Sequence, residues 1–142
     1  MHEPVVVQLN RKEVLTAVEV ATHKHVNAIG EHYQQMKAGA VTNWNEPINE
    51  ALAQVAVSKW LNGRKNVRAR VSDYGNLIIS EFDSPGDLIA LVSCMPPVFQ
   101  VEGYIRVSDA QAMKDCLAQT MAGRRWWIHK KDLRDPRELG NG

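Results

Sequence analysis

Eight consecutive positions, Leu88 to Met95, read Leu-Ile-Ala-Leu-Val-Ser-Cys-Met. The run is closed in front by Asp83-Ser84-Pro85-Gly86-Asp87 and behind by Pro96-Pro97. Both flanks are strong turn or breaker signals. A strand on a half-solvated sheet alternates apolar with polar residues, and this run does not. It therefore reads as a central strand covered on both faces. The chain has 142 residues, the usual size of one domain. Folding at that length buries about two-thirds of the unfolded surface, so a core needs no disulfide or metal.

Upstream of that strand the period is helical. Val5 to Leu9 reads as a short strand or extended arm. Asn10 with Glu13 forms a capping box. A helix follows to about Lys37, with Leu15, Val18, Thr22, Val26, Ile29, Tyr33 and Met36 as its apolar stripe. Ala38 to Glu46 reads as a loop. A second helix starts near Asn45 with Pro47 in its first turn, where the missing N–H costs no bond. Ile48, Leu52, Val55 and Lys59 share a face, flanked by Ala51, Ala56 and Trp60. Asn62-Gly63 supplies its stop.

The period then falls to two. Val67, Ala69 and Val71 alternate with Asn66, Arg68 and Arg70. Leu77 to Phe82 reads as the next strand, followed by Leu88 to Met95. Phe99, Val101, Ile105 and Val107 then alternate with polar neighbours. A capping box at Ser108 and Gln111 predicts a third helix from Asp109 to about Ala122, stopped by Gly123. Arg125 to His129 reads as a last short strand. Leu133 and Leu139 are expected to dock back from a polar tail. The expectation is a single α/β (α+β) domain: an N-terminal arm and helix over residues 1–45, an α/β core over 46–129 and a tail over 130–142. Its sheet is mixed, with four to five strands flanked by helices.

Composition excludes several classes. The net charge is +1, without the basic excess of a wholesale nucleic-acid or membrane binder. No apolar run reaches the ~18 residues of a membrane span, and no N-terminal apolar stretch follows a basic region, so no secretory signal is expected. Cys94 and Cys116 have no metal-type partner at close spacing and read as reduced thiols. A cytoplasmic protein with no membrane partner is expected. No P-loop, dinucleotide loop or nucleophile elbow occurs.

Three features could carry chemistry. Asp73, Glu81, Asp83 and Asp87 cluster at strand ends. Carboxylates that converge can hold Mg²⁺ or Mn²⁺, which activates water for phosphodiester cleavage. Glu81 and Asp83 share one side of a strand if that strand extends to them. Glu50 on the second helix could join them. The plainer alternative is a set of solvated turn acids. His23, His25 and His32 lack a chelating spacing and read as ordinary histidines. The segment Arg124-Arg125-Trp126-Trp127-Ile128-His129-Lys130-Lys131 combines phosphate-neutralising cations with indoles that can stack on bases. Its plainer alternative is an edge strand with one Trp inward and a basic flank. Arg68 and Arg70 share one face and could extend a basic surface.

The stretches INEALAQVAVSKWLNG, LIISEFDSPGDLIALVSCMPPVFQVEGYIRVSDAQ and WWIHKKDLRDPREL together resemble a family of small bacteriophage proteins. That family's layout is similar to the PD-(D/E)xK, or restriction-endonuclease-like, core of helix, three strands, helix and strand. The resemblance covers about two-thirds of the chain and implies DNA cleavage or DNA binding in a host-cell cytoplasm. The family's helix glutamate falls on Gln54, its Pro-Asp motif is missing before Asn66, and its Glu-Val-Arg strand reads Asn66-Val67-Arg68. On this reading an active protein would place Mg²⁺ or Mn²⁺ on Glu81 and Asp83, assisted by Asp73 or Glu50. Arg68, Arg70 and Lys59 would contact phosphate. An inactive copy would instead be a binding or inhibitor module for nucleic acid or a host protein, through Arg124, Arg125, Trp127, Lys130 and Lys131. A homo-oligomeric structural component built on the first helix is the third alternative.

Overall fold

The computed structural model describes residues 3–32, 45–63, 66–71, 75–95, 97–121 and 123–140, and side chains for all of these but 24–32, 45–47, 94 and 95. Strand β1 (Val5–Gln8) leads into helix α1 (Arg11–His32), and helix α2 is Asn45–Leu61. Strands β2 (Val67–Val71), β3 (Asn76–Ser80), β4 (Leu88–Met95) and β5 (Val98–Arg106) follow. A short helix α3 (Val107–Gln111), a 3₁₀ turn at Lys114–Cys116, β6 (Leu117–Thr120) and β7 (Gly123–His129) come next. A second 3₁₀ turn at Lys130–Asp132 and helix α4 (Arg137–Gly140) complete the order.

The strands form two sheets. One is four-stranded and mixed, in the order β1-β5-β4-β2, with β2 parallel to β4 and the other pairs antiparallel. This is the expected mixed sheet. The other is three-stranded and antiparallel, β3-β7-β6, and was not expected. β3 leaves the first sheet because its partner is β7, not β2 or β4. β7 is consequently a central strand, not an edge.

The apolar octapeptide explains the layering. Ala90 and Val92 of β4 face a core with α1 and α2, while Ile89 and Leu91 face a second core with β3, β7 and α3. All four are fully buried. Each large side chain in these cores, such as Phe99 or Leu91, contributes about 1.5–3 kcal/mol on leaving water. The order of layers is helices, mixed sheet, three-stranded sheet.

Local signals fare unevenly. The Asn10–Glu13 capping box forms in both directions, each backbone N–H donating to the other side chain at 2.8 Å. Asn62 and Gly63 both have positive φ, and Gly63 N–H donates to Ser58 O at 3.0 Å, closing α2 as expected. The buried face of α1 is Ala17 and Ala21, with Val14 packed beside them. Leu15 of the expected stripe is 57% exposed. Small residues win because α1 must approach α2 closely. Val26, Ile29, Tyr33 and Met36 lie outside the described side chains. On α2 the buried residues are Leu52, Ala53, Ala56, Val57 and Leu61, and Lys59 is on the exposed side.

The third helix is a correction. Only Val107–Gln111 is α-helical, and Leu117–Thr120 is strand. The Ser108–Gln111 capping box does not form, because the Gln111 amide donates to Ser80 O at 3.1 Å. Ala110 is buried in the core between the sheets, with Met113 and Cys116 packed against it. Their three-residue spacing suits a 3₁₀ turn equally well. Leu133 and Leu139 dock as expected, both buried.

Candidate functional site

The acids at the strand ends are pinned, and by the very cations expected to contact phosphate. β3 ends at Ser80, so Glu81 and Asp83 lie in the following turn and do not share a strand face. Asp83 accepts from Arg70 through both oxygens, at 2.5 and 2.8 Å, and from Ser80 N–H at 2.7 Å. Burial pushes the Asp83 carboxyl up, but hydrogen bonds from the Arg70 guanidinium and the Ser80 N–H, with the charges of Arg70 and Arg68, hold it below the usual aspartate range. Arg70 also donates to Ile78 O at 2.8 Å, tying the β2 edge of one sheet to the β3 edge of the other. Asp87 pairs with Arg68 at 3.5 Å. Glu81 receives Arg124 Nε and Arg124 N–H, both at 3.2 Å.

The other expected members stand apart. Glu50 is exposed on α2 and makes no ion pair among the described residues. Asp73 lies outside the described residues. Lys59 is held by Glu13 at 2.8 Å and Gln8 O at 2.7 Å. The same salt bridge and the Asn10 N–H hold the Glu13 carboxyl below its ordinary value, the backbone bond foremost. His23 is exposed, and the side chains of His25 and His32 lie outside those described.

Mg²⁺ or Mn²⁺ on Glu81 and Asp83 does not fit this donor set. Asp83 already accepts from the Arg70 guanidinium through both oxygens, and Glu81 from Arg124 through both, one from the guanidinium Nε and one from the backbone N–H; a cation would have to displace an arginine from each. No group of three or more acids, histidines or cysteines is placed to hold a metal among the described residues.

Gln54 does edge work. Its Oε1 accepts Ala69 N–H at 2.9 Å and its Nε2 donates to Val67 O at 3.0 Å. β2 is an outer strand, and this side chain satisfies backbone groups that a further strand would otherwise take. A glutamate could accept from Ala69 but could not donate to Val67.

The basic-aromatic segment differs from all of these. Trp126 and Ile128 of β7 point into the core between the sheets. By alternation Arg125, Trp127 and His129 point outward. Trp127 is 39% exposed, on the central strand, opposite the half-buried Ile78 of β3. His129 Nδ1 accepts Lys131 N–H at 3.1 Å, which fixes the start of the following 3₁₀ turn and leaves Nε2 as the free nitrogen. Arg125, Lys130 and Lys131 form no ion pair among the described residues. Arg124 belongs to the other set: it pairs with Glu81 and lies 5.9 Å from the Trp126 ring centroid. The remaining outward positions of the sheet are Gly123, Asn76, Ser80, Ala118 and Thr120, so none of the described strand positions on this face is a carboxylate; Asp132 follows Lys131 in the adjoining 3₁₀ turn. The segment was legible in the sequence; what was not is which of its cations would find acids.

A concavity of about 200 Å³ lies between β5 and the C-terminal segment, lined by Leu88, Tyr104, Arg106, Asp109, Arg134, Glu138 and Leu139. Much of its polarity is internally satisfied. Tyr104 Oη donates to Glu138 at 2.8 Å, and Arg134 donates to the same carboxylate at 2.9–3.0 Å. Burial and that hydrogen bond push the Tyr104 phenol above its ordinary value.

No family model matches the chain, and neither a curated protein nor a solved structure matches it. Among the described residues no helix is long and apolar enough to cross a membrane.

Proposed function

We propose that this protein is a non-catalytic binding module for nucleic acid, and that the outer face of the three-stranded sheet is its contact surface. One observation carries the reading. Of the cations singled out in the sequence, Arg68, Arg70, Lys59 and Arg124 are neutralised by carboxylates, whereas Arg125, Lys130 and Lys131 make no ion pair among the described residues; Arg125 shares the outer face with Trp127, and Lys130 and Lys131 follow β7 in a 3₁₀ turn. Unpaired cations are free to neutralise phosphate, and an exposed indole can stack on a base. A net charge of only +1 is compatible with this, because the cations that matter are grouped along β7 and the turn that follows it. The resemblance to a nuclease-like layout points to the same class of partner, with DNA first.

Binding to a fluorescein-labelled oligonucleotide tests the proposal. Arg125→Ala with Lys130→Ala is expected to weaken binding at least several-fold, as each lost phosphate contact lowers affinity. Lys59→Ala, remote from the face and already engaged with Glu13, should leave it unchanged. Equal affinity in the wild type and the double variant would overturn the assignment.

A further inference from the structure

Resting on that reading, we infer that the face takes single-stranded polynucleotide in preference to duplex. The geometry of Trp127 is the reason. It stands on β7, the middle of three strands, with β3 on one side and β6 on the other. Neighbouring strands lie about 4.8 Å apart, so the three backbones alone span roughly 10 Å before side chains are added. The major groove of B-form DNA is about 12 Å wide and admits a helix or a two-stranded ribbon. A third strand leaves no room for a central side chain to reach base edges, because both flanking strands meet the phosphate walls first. A duplex therefore offers this face phosphates and no partner for the indole.

A single strand offers both. Its base faces are open, and stacking on an aromatic side chain needs only a flat, accessible ring. Arg125 and His129 lie two residues to either side of Trp127 on the same face, each about 7 Å away along the strand. A strand crossing the sheet can stack one base on Trp127 while its phosphates meet Arg125 on one side and Lys130 or Lys131 beyond the other. Ile78, paired with Trp127 across the sheet, adds an apolar flank to the same ring site. None of the described helices contributes to a core on this side: α1 and α2 pack into the helix-side core, and α3 into the core between the sheets. Among the described strand positions on this face the one cation is Arg125 and none is an acid; Lys130 and Lys131 follow in the adjoining 3₁₀ turn, next to Asp132.

The test is fluorescence anisotropy with labelled oligo(dT), oligo(rU) and a blunt DNA duplex of matched length. Single strands should bind more tightly than the duplex. Trp127→Ala should weaken single-strand binding roughly ten-fold, the size of one stacked base, without changing the duplex affinity, and Trp127→Phe should restore most of the loss. Binding of one homopolymer alone would support the inference and show which of the two single strands the face prefers. Duplex binding as tight as single-strand binding, with Trp127→Ala inert, would overturn the inference while leaving the nucleic-acid reading in place. Absence of binding to any of the three would remove both. Trp127 is exposed, so the thermal midpoint of each variant, expected near that of the wild type, serves as the folding control.

Discussion

Gln54 and Asp83 occupy positions where a catalytic reading of the sequence wants metal-binding acids or their neighbours, and both are committed to backbone and guanidinium groups. Gln54 bridges Val67 O and Ala69 N–H on an outer strand. Gln54→Ala would leave both groups without their partner and is expected to cost about 1–3 kcal/mol, read as a lowered denaturant midpoint at unchanged slope. Gln54→Glu keeps the acceptor but sets a carboxylate against the Val67 carbonyl, so it too should destabilise; a more stable Glu variant would contradict the role assigned to the amide. Asp83 makes a different prediction. Its folded carboxyl titrates below the ordinary aspartate value of about 3.9. The stability it contributes is therefore complete above that value and is lost as pH falls through the lower folded value. Asp83→Asn should be less stable by about 2 kcal/mol at neutral pH and should lack this part of the acid dependence. Parallel curves for variant and wild type below pH ~4 would show that Arg70 gains nothing from the charge.

At the scale of elements, the sequence was most informative where a single local rule decides the outcome. The Asn10–Glu13 box, the Asn62-Gly63 stop and the doubly covered β4 each follow from residues adjacent in the chain. The third helix failed because its deciding interactions are distant. Gln111 spends its amide on Ser80 O, and Leu117–Thr120 pairs with β7. Spacings of three suit both helix types, so periodicity alone could not separate them. The same limit hid the second sheet: β3 reads as an ordinary strand, and nothing in residues 76–80 says that β7 will be its partner. Gly103 shows a long-range constraint of another kind. A Cβ there would stand 2.6 Å from Leu133 Cβ and 3.0 Å from Arg134 O, where the C-terminal segment crosses β5. Gly103→Ala is expected to cost about 1–3 kcal/mol, through displacement of that segment. A thermal midpoint equal to the wild type's would contradict the packing.

The molecule as a whole sorts its charges. Acids of the turn after β3 are matched by Arg68, Arg70 and Arg124, so one end of the sheets is neutral and held together. Arg125, beside Trp127 on the outer face of the three-stranded sheet, and Lys130 and Lys131 in the turn after β7 make no ion pair among the described residues. Sequence reasoning found both groups of residues, acids and cations alike. It could not foresee that they would cancel at one place and not at the other, because ion pairing is a property of the fold and not of spacing along the chain. The functional claim rests on this asymmetry.

It is tested most directly by titrating salt against DNA affinity. For the wild type, log K should fall linearly with log salt, the mark of counterion release from neutralised phosphates. In Arg125→Ala and Lys130→Ala the slope should be shallower by about one for each phosphate contact removed. An affinity indifferent to salt, or a slope that neither substitution changes, would contradict the account.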